Sequence, residues 1–367
     1  MSEINEVNEN LLVPVSITML YDGMVVADDI YDADAERLII KAGNVINDMQ
    51  IDKISSLNSG RSTIYVTGRT QKAMLAKRPS NIDISSRAEI EKTYGYTDIK
   101  NETFEVLEDL ANSRVIDKNT LTTVFDELSR CVDSTPPSVI LSLINALAPF
   151  DEYLQRHSVN VGLLNGMIGR WMGFAKAEVD KLVLIGLMHD CGKTLMPPSV
   201  LNAPRRLSGI EFEVIKMHAV HTYELLSEFP EDVRIAASSH HERLKGGGYP
   251  KNLSKEDIPR DARITAVSDI YDAMVSKRSY KDPQSPFSVL AMLSKLSWTD
   301  IDGDVADTLK ENIPKELVDK PVIMSDGTIG ILREYHPEDI EFPTVEHGGV
   351  TFKTDKTLHC ISMYNDD

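Results

Sequence analysis

A chain of 367 residues exceeds the usual single-domain size, so two or three compact units with a sizeable core are expected. The formal charge of −18 disfavours binding to nucleic acid polymers or anionic membranes, which needs clustered Lys and Arg, but leaves room for a small anionic ligand at a locally basic site. Cys131, Cys191 and Cys360 are too few and too scattered for a disulfide framework, no CxxC occurs, and neither a leader pattern nor a run of ~18 apolar residues for a membrane span is found, so a soluble cytoplasmic protein is expected.

Taken in chain order, residues 15–70 carry short alternating apolar runs, Val15 to Leu20, Leu38 to Ile40 and Thr63 to Val66, broken by Asp22-Gly23, Ala42-Gly43 and Ser59-Gly60. This punctuation predicts a small β-rich unit, assigned to 1–75. After a stretch rich in Lys, Arg, Ser and Asn (69–81), the apolar period shifts to about 3.6 and stays there to about residue 315. Helices are predicted over Val115–Leu128, Ser138–Leu147, Asp151–Met172, Lys176–His189, Ser208–Ser227, Glu231–His240, Asp261–Val275 and Pro286–Leu296. Ser208 and Asp261 read as N-caps, and Pro198, Pro230 and Pro286 fall at or near first turns. Beyond Pro314 the pattern changes again: Lys320–Met324, a Ser325-Asp326-Gly327 turn and Thr328–Leu332 read as a hairpin, with Gly348-Gly349 and Leu358–Met363 completing a β-rich tail, 316–367. The expected fold is therefore mainly α, an all-helical domain over 76–315 flanked by small β-rich N-terminal and C-terminal units.

Six of the nine histidines, His157, His189, His218, His221, His240 and His241, fall between residues 157 and 241. Imidazole and carboxylate together are ligands suited to Fe, Mn, Zn or Co rather than to Mg or Ca, so this clustering points to hydrolysis at a metal. His189 and Asp190 end a helix before Cys191-Gly192-Lys193, where glycine would permit an abrupt exit, and two ligands at such a terminus can diverge toward two ions. His218 and His221, three residues apart on one helix, form a possible bidentate pair. His240-His241 precede Glu242-Arg243-Leu244-Lys245-Gly246-Gly247-Gly248-Tyr249-Pro250, whose glycines imply a sharp bend or a close approach, and Asp269 lies in an apolar helix where a carboxylate needs a partner such as a cation. Cys191 reads as a small packing residue, Trp171 and Trp298 as core or interface anchors, and Asp272 and Glu242 as residues that stabilise a helix or orient a neighbour.

Four motifs in order, His-Asp-Cys-Gly-Lys at 189–193, His-His-Glu-Arg at 240–243, Gly-Tyr-Pro at 248–250 and Ser-Asp-Ile-Tyr-Asp-Ala-Met-Val-Ser-Lys-Arg-Ser-Tyr-Lys at 268–281, resemble the HD-GYP subclass of the HD phosphohydrolase superfamily over roughly 145–300. The resemblance implies metal ligation by His157, His189, Asp190, His218, His240, His241 and Asp269, with Asp190 bridging, and leaves His221 out of the ligand set. It assigns Lys193, Tyr249, Arg278 and Lys281 to the substrate, usually cyclic di-GMP, and gives Asp190 and Lys193 the catalytic roles. Some relatives hold a third metal with a glutamate one turn before the first histidine. Tyr153 stands there in this chain, with Glu152 out of phase, which implies a site for two divalent transition metal ions, Fe or Mn, and opening of the ring to linear pGpG, with complete cleavage to GMP less assured. The alternatives are a catalytically weak cyclic-dinucleotide receptor that signals through partner proteins, and a phosphodiesterase for cyclic GMP-AMP. A homodimer or a signalling protein partner is also compatible with the sequence.

Overall fold

The computed structural model describes residues 12–16, 25–27, 29–32, 37–47, 49–50, 54, 63–67, 95–145, 153–201, 203, 205, 207–276 and 284–364. In the N-terminal part, β1 (Leu12–Ser16) pairs antiparallel with β4 (Thr63–Thr67), and β2 (Ile30–Asp32) pairs antiparallel with β3 (Arg37–Ile40). Val26, Ile30, Ile40 and Ile46 are buried there. The strand expected over Val15–Leu20 is described only as far as Ser16, and Ile17 to Leu20 lie outside the described residues.

The helices run α1 (Tyr96–Ser113), α2 (Lys118–Ser134), α3 (Pro137–Ile144), α4 (Tyr153–Trp171), α5 (Lys176–Met188), a 3-10 turn (Cys191–Leu195), α6 (Pro198–Leu201), α7 (Gly209–Leu225), α8 (Glu231–Ser238), α9 (Arg260–Val275), α10 (Pro286–Leu296) and α11 (Gly303–Leu317). The periodicity did not delimit α1 and α11 as separate helices. In α1 the buried positions Tyr96, Ile99, Thr103, Val106, Leu107 and Leu110 recur three and four apart, the spacing of one helical face. Local chemistry fixes several starts. The Asp117 carboxylate accepts from Asn119 N at the head of α2, and Ser208 caps α7 in a capping box with Glu211.

Two punctuation readings need correcting. Asp261 is not an N-cap: α9 begins at Arg260 after Pro259, and the Asp261 carboxylate is engaged by Lys181 (2.8 Å) and Arg260 (3.2 Å). Pro314 does not end the helical pattern, because it sits in the last turn of α11, which runs on to Leu317 with Ile313 and Leu317 fully buried. Only one intrahelical bond is lost to the proline there, and core contacts on both sides of it hold the turn.

Helix α4 is the centre of the bundle, buried all round from Arg156 to Gly169, with α1, α2, α5, α9 and α11 packed against it. Its contact with α5 is close because a Cβ on Gly186 would lie 2.7 Å from the Val161 carbonyl oxygen, a distance only glycine tolerates. That proximity brings the start of α4 and the end of α5 together.

A five-stranded antiparallel sheet in the order β8-β7-β6-β5-β9 comes last in the chain: β5 (Pro321–Met324), β6 (Ile329–Glu334), β7 (Thr344–His347), β8 (Val350–Lys353) and β9 (Cys360–Met363). The β5–β6 hairpin turns at Gly327 and the β7–β8 hairpin at Gly348-Gly349, all three with left-handed φ, as the Gly placements in the sequence led one to expect. Val322, Met324, Leu332 and Val345 join the helices' apolar residues in one continuous core, with β9 against α10. The fold is mainly α with small β-rich parts. No helix among the described residues is long and apolar enough to cross a membrane.

Candidate metal centre

Several elements converge on Asp190. His157 comes from the buried first half of α4, His189 and Asp190 from the exit of α5, His218 from α7, and His240 and His241 from the turn after α8, while Asp269 projects from α9. Asp190 is 1% exposed, and its two oxygens face different partners. Oδ2 lies 3.4 Å from His157 Nε2 and 3.3 Å from His189 Nε2. Oδ1 lies 3.3 Å from His218 Nε2 and 3.7 Å from His240 Nε2. The donors thus form two groups that share Asp190: His157 and His189 on one side, His218, His240 and His241 on the other, each able to enclose a metal ion. Asp269 stands between them, Oδ1 at 3.1 Å from His157 Nε2 and Oδ2 at 3.9 Å from His241 Nδ1.

The outer nitrogens of the rings explain why the inner ones converge. His189 Nδ1 donates to the Gly186 carbonyl (2.7 Å), His218 Nδ1 to that of Ile215 (2.6 Å) and His240 Nδ1 to that of Ala237 (2.7 Å), each three residues back along the chain. His157 Nδ1 instead meets the buried Asp272 carboxylate at 2.7 Å. With Nδ1 committed as a donor, the Nε2 atoms of His189, His218 and His240 are left to present a lone pair inward, the arrangement by which metal-ligating histidines are held.

Electrostatics differ on the two sides. Burial disfavours charge on His157, yet hydrogen bonds to Asp190, Asp269 and Asp272 outweigh it and push its pKa up to about 10. Burial pulls His218 down to about 4 and His240 down to about 3, and it also lowers His241, so these rings stay neutral and able to ligate. Burial works to raise Asp190 and Asp269, but Lys193 and His189 beside the first and His157 beside the second hold both carboxyls well below the usual range.

A cation fits this donor set. Asp190 Oδ1, His218 Nε2 and His240 Nε2 are buried with no hydrogen-bond partner, although they face one another. Converging lone pairs at this distance repel unless a positive charge lies among them. The donors are imidazole nitrogens and carboxylate oxygens, the mixture that suits first-row transition ions.

Around this floor, Lys193 reaches back from the 3-10 turn to pair with Asp190. Gly192 is held there for space and not for conformation: its φ is not left-handed, but an added Cβ would lie 2.0 Å from the His218 carbonyl oxygen, so the turn lies directly on α7. Thr222 completes the joint, accepting from Gly192 N (3.0 Å) and donating to the His189 carbonyl (3.1 Å). The expectation of a glycine helix exit is corrected accordingly. Cys191 is fully buried, and burial pushes its thiol up to about 12, in keeping with a packing role.

Tyr249 stacks on His241, ring centroids 4.5 Å apart, and meets Phe212 edge to face at 6.3 Å, with Lys216 Nζ 6.0 Å and 5.5 Å from the two ring centroids. The glycine run shapes this rim: Gly246 and Gly247 have left-handed φ, and a Cβ on Gly248 would lie 2.5 Å from Glu242 Cα. The buried Glu242 carboxylate accepts from Lys251 N (2.7 Å) and Leu253 N (2.9 Å), clamping the segment that carries Tyr249.

All seven expected ligands come together, as do Lys193 and Tyr249. His221 does not: it is partly exposed and pairs with Glu224 at 3.2 Å, so the bidentate pairing with His218 is not formed. Arg278 and Lys281 lie outside the described residues, and so do Glu152 and the side chain of Tyr153, although Tyr153 is the first residue of α4. Phe212, Lys216, Asn160 and Thr222 were missed by sequence reasoning. The i, i+4 spacing of Phe212 and Lys216, just ahead of His218, was the available signal for the first two.

Residues 142–305 match the family model described as HD domain. A cyclic di-GMP phosphodiesterase of Thermotoga maritima is 32% identical over 185 residues, 49% of this chain and 50% of that protein. A 3'3'-cGAMP-specific phosphodiesterase of Vibrio cholerae is 32% identical over 165 residues, 43% of this chain and 32% of that protein. The matched stretch thus spans half or less of these relatives. A solved HDG"Y"P protein of Bdellovibrio bacteriovorus shares the fold, with TM-score 0.51 at 15% identity over 83% of this chain and 99% of that one. Residues 142–305 are thus similar to HD domains, and the relatives they match are cyclic-dinucleotide phosphodiesterases by name.

Proposed function

We propose that this protein is a metal-dependent phosphodiesterase that opens cyclic di-GMP to linear pGpG. The observation that carries this reading is the division of the two Asp190 oxygens between two histidine groups, with Asp190 Oδ1, His218 Nε2 and His240 Nε2 buried and unpaired. His157, His189 and Asp269 would hold one ion and His218, His240 and His241 a second, with Asp190 bridging; Fe or Mn suits the donors. Ions held there supply Lewis-acid charge for a phosphoryl oxygen and lower the pKa of water toward neutrality. The chain's own residues do the rest. Lys193 sets an ammonium beside the bridging carboxylate, where it can neutralise non-bridging phosphate oxygens. Tyr249 fixes the His241 ring by stacking and, with Phe212 and Lys216, lines a rim where an aromatic base and a phosphate both find complementary surfaces. Arg278 and Lys281 are further candidates for phosphate contact.

Cyclic GMP-AMP is the second reading, favoured by the Vibrio relative's name at the same 32% identity. Protein purified without oxygen and loaded with Fe or Mn is expected to convert cyclic di-GMP to pGpG faster than it converts 3'3'-cGAMP; the reverse order selects the second reading. Binding of either nucleotide without any cleaved product would replace the enzyme by a receptor. On the two-ion reading, Tyr153→Glu raises metal content from about two toward three per chain, checked by elemental analysis.

A further inference from the structure

Tyr96 stands 46 residues before the start of the HD domain match, yet it is tied to the metal centre by buried hydrogen bonds. It opens α1, directly after Gly95, whose left-handed φ of 68° turns the chain so that the first side chain of the helix points inward, 1% exposed. Tyr96 Oη donates to Asn160 Oδ1 at 2.6 Å. Asn160 Nδ2 donates to Asp272 Oδ1 at 2.7 Å. Asp272 Oδ2 meets His157 Nδ1 at 2.7 Å. Asn160, His157 and Asp272 are each at most 1% exposed, and Ser276 Oγ adds a donor to Asp272 Oδ1 at 3.1 Å. Helix α1 also packs on the 3-10 turn after His189-Asp190.

The order of donors in this chain is fixed by chemistry. A carboxylate only accepts, so Asn160 must present its NH2 to Asp272 and its carbonyl oxygen to the far side, where the Tyr96 hydroxyl donates to it. Without the hydroxyl the buried amide oxygen loses this donor, and the bond that holds the far end of the amide in place is gone. Asp272 in turn orients the imidazole of His157, which lies between Asp190 and Asp269. Such outer partners set ligand orientation and basicity, and their loss typically costs about 10–100-fold in metal affinity.

We infer that Tyr96, acting through Asn160 and Asp272, is a positioning residue for the metal ligand His157, so that the metal centre depends on a helix outside the HD domain segment. The inference rests on the metal-centre reading. The test is Mn2+ titration of the metal-stripped full chain by calorimetry, alongside the melting temperature. Tyr96→Phe keeps the ring and is expected to weaken Mn2+ binding about 3–10-fold in the group containing His157, leaving the group containing His218 unchanged. In an Asp272→Asn background the same substitution is expected to produce no further loss, because its route to His157 is already cut. A lowered melting temperature with wild-type Mn2+ affinity, or equal losses in both backgrounds, would overturn the inference. Asn160→Ser breaks the chain from its other side and decides the matter should Tyr96→Phe not fold. Wild-type protein that takes up no Mn2+ at all would instead overturn the metal-centre reading itself.

Discussion

The two sides of Asp190 are built differently. On the Oδ2 side, His157 lies among three carboxylates and its outer nitrogen is held by a side chain from another helix, α9. On the Oδ1 side, the outer nitrogens of His218 and His240 are held by carbonyls three residues back in their own chain segments, and His241 is covered by Tyr249. His157 is therefore oriented by tertiary packing, whereas His218 and His240, like His189 on the first side, are oriented by helix geometry. The charge balance reflects this: the carboxylates and Lys193 crowd the first side, where hydrogen bonds to the carboxylates raise the pKa of His157, whereas on the second side burial keeps the rings neutral, with unpaired nitrogens on His218 and His240.

Removing the shared residue tests whether the two groups are one centre. Asp190→Ala is expected to take metal content from about two toward zero per chain and turnover to background, read by elemental analysis and product chromatography. Metal content that stays near two would separate the groups and break the comparison. Next in size are the single-side variants. His189→Ala and His218→Ala are each expected to abolish turnover while lowering metal content toward one, and full retention of metal in His218→Ala would remove the second group from consideration.

How far the sequence could be read obeys the same division. The His-Asp pair, the His-His pair and the Gly-Tyr-Pro segment are contiguous, so their place at helix ends was legible from local pattern. Asp269 was legible because a carboxylate in an apolar helix is costly unless it is compensated. Asn160 and Tyr96 gave no such sign: an asparagine in a helix and a tyrosine near a helix start are ordinary, and their roles exist only once α1, α4 and α9 pack together. The purpose of Gly192 was misread for the same reason, since the obstacle to a side chain there is the His218 carbonyl, distant in sequence. Asp261 looked like a cap because its ion pair with Lys181 is tertiary.

The rim provides a smaller effect that separates substrate handling from metal binding. Glu242→Gln replaces one acceptor oxygen by an NH2 that faces a backbone N–H, at a side chain only 3% exposed. A buried donor left unsatisfied costs about 1–3 kcal/mol, and here that cost loosens the segment carrying Tyr249. The expected outcome is a higher KM with metal content unchanged. Lost metal would mean that Tyr249 and its segment belong to the second group's assembly and not to its rim.

His221→Ala should change least, and it sharpens where the second group ends. His221 sits one turn after His218 on α7, as close in sequence as a ligand can be, but its ring is 28% exposed and turned to Glu224, whose side chain is 64% exposed. An exposed pair of this kind contributes little, because water and salt screen it. The substitution is therefore expected to leave metal content and turnover at wild-type values, with stability within about 0.5 kcal/mol. A loss of metal would show that α7 supplies two ligands and that the helix turns about its axis when ions bind. An unchanged protein leaves His218 as the single ligand from α7, and makes the burial of its Nε2 beside Asp190, not the density of histidines on the helix, the property that selects a ligand.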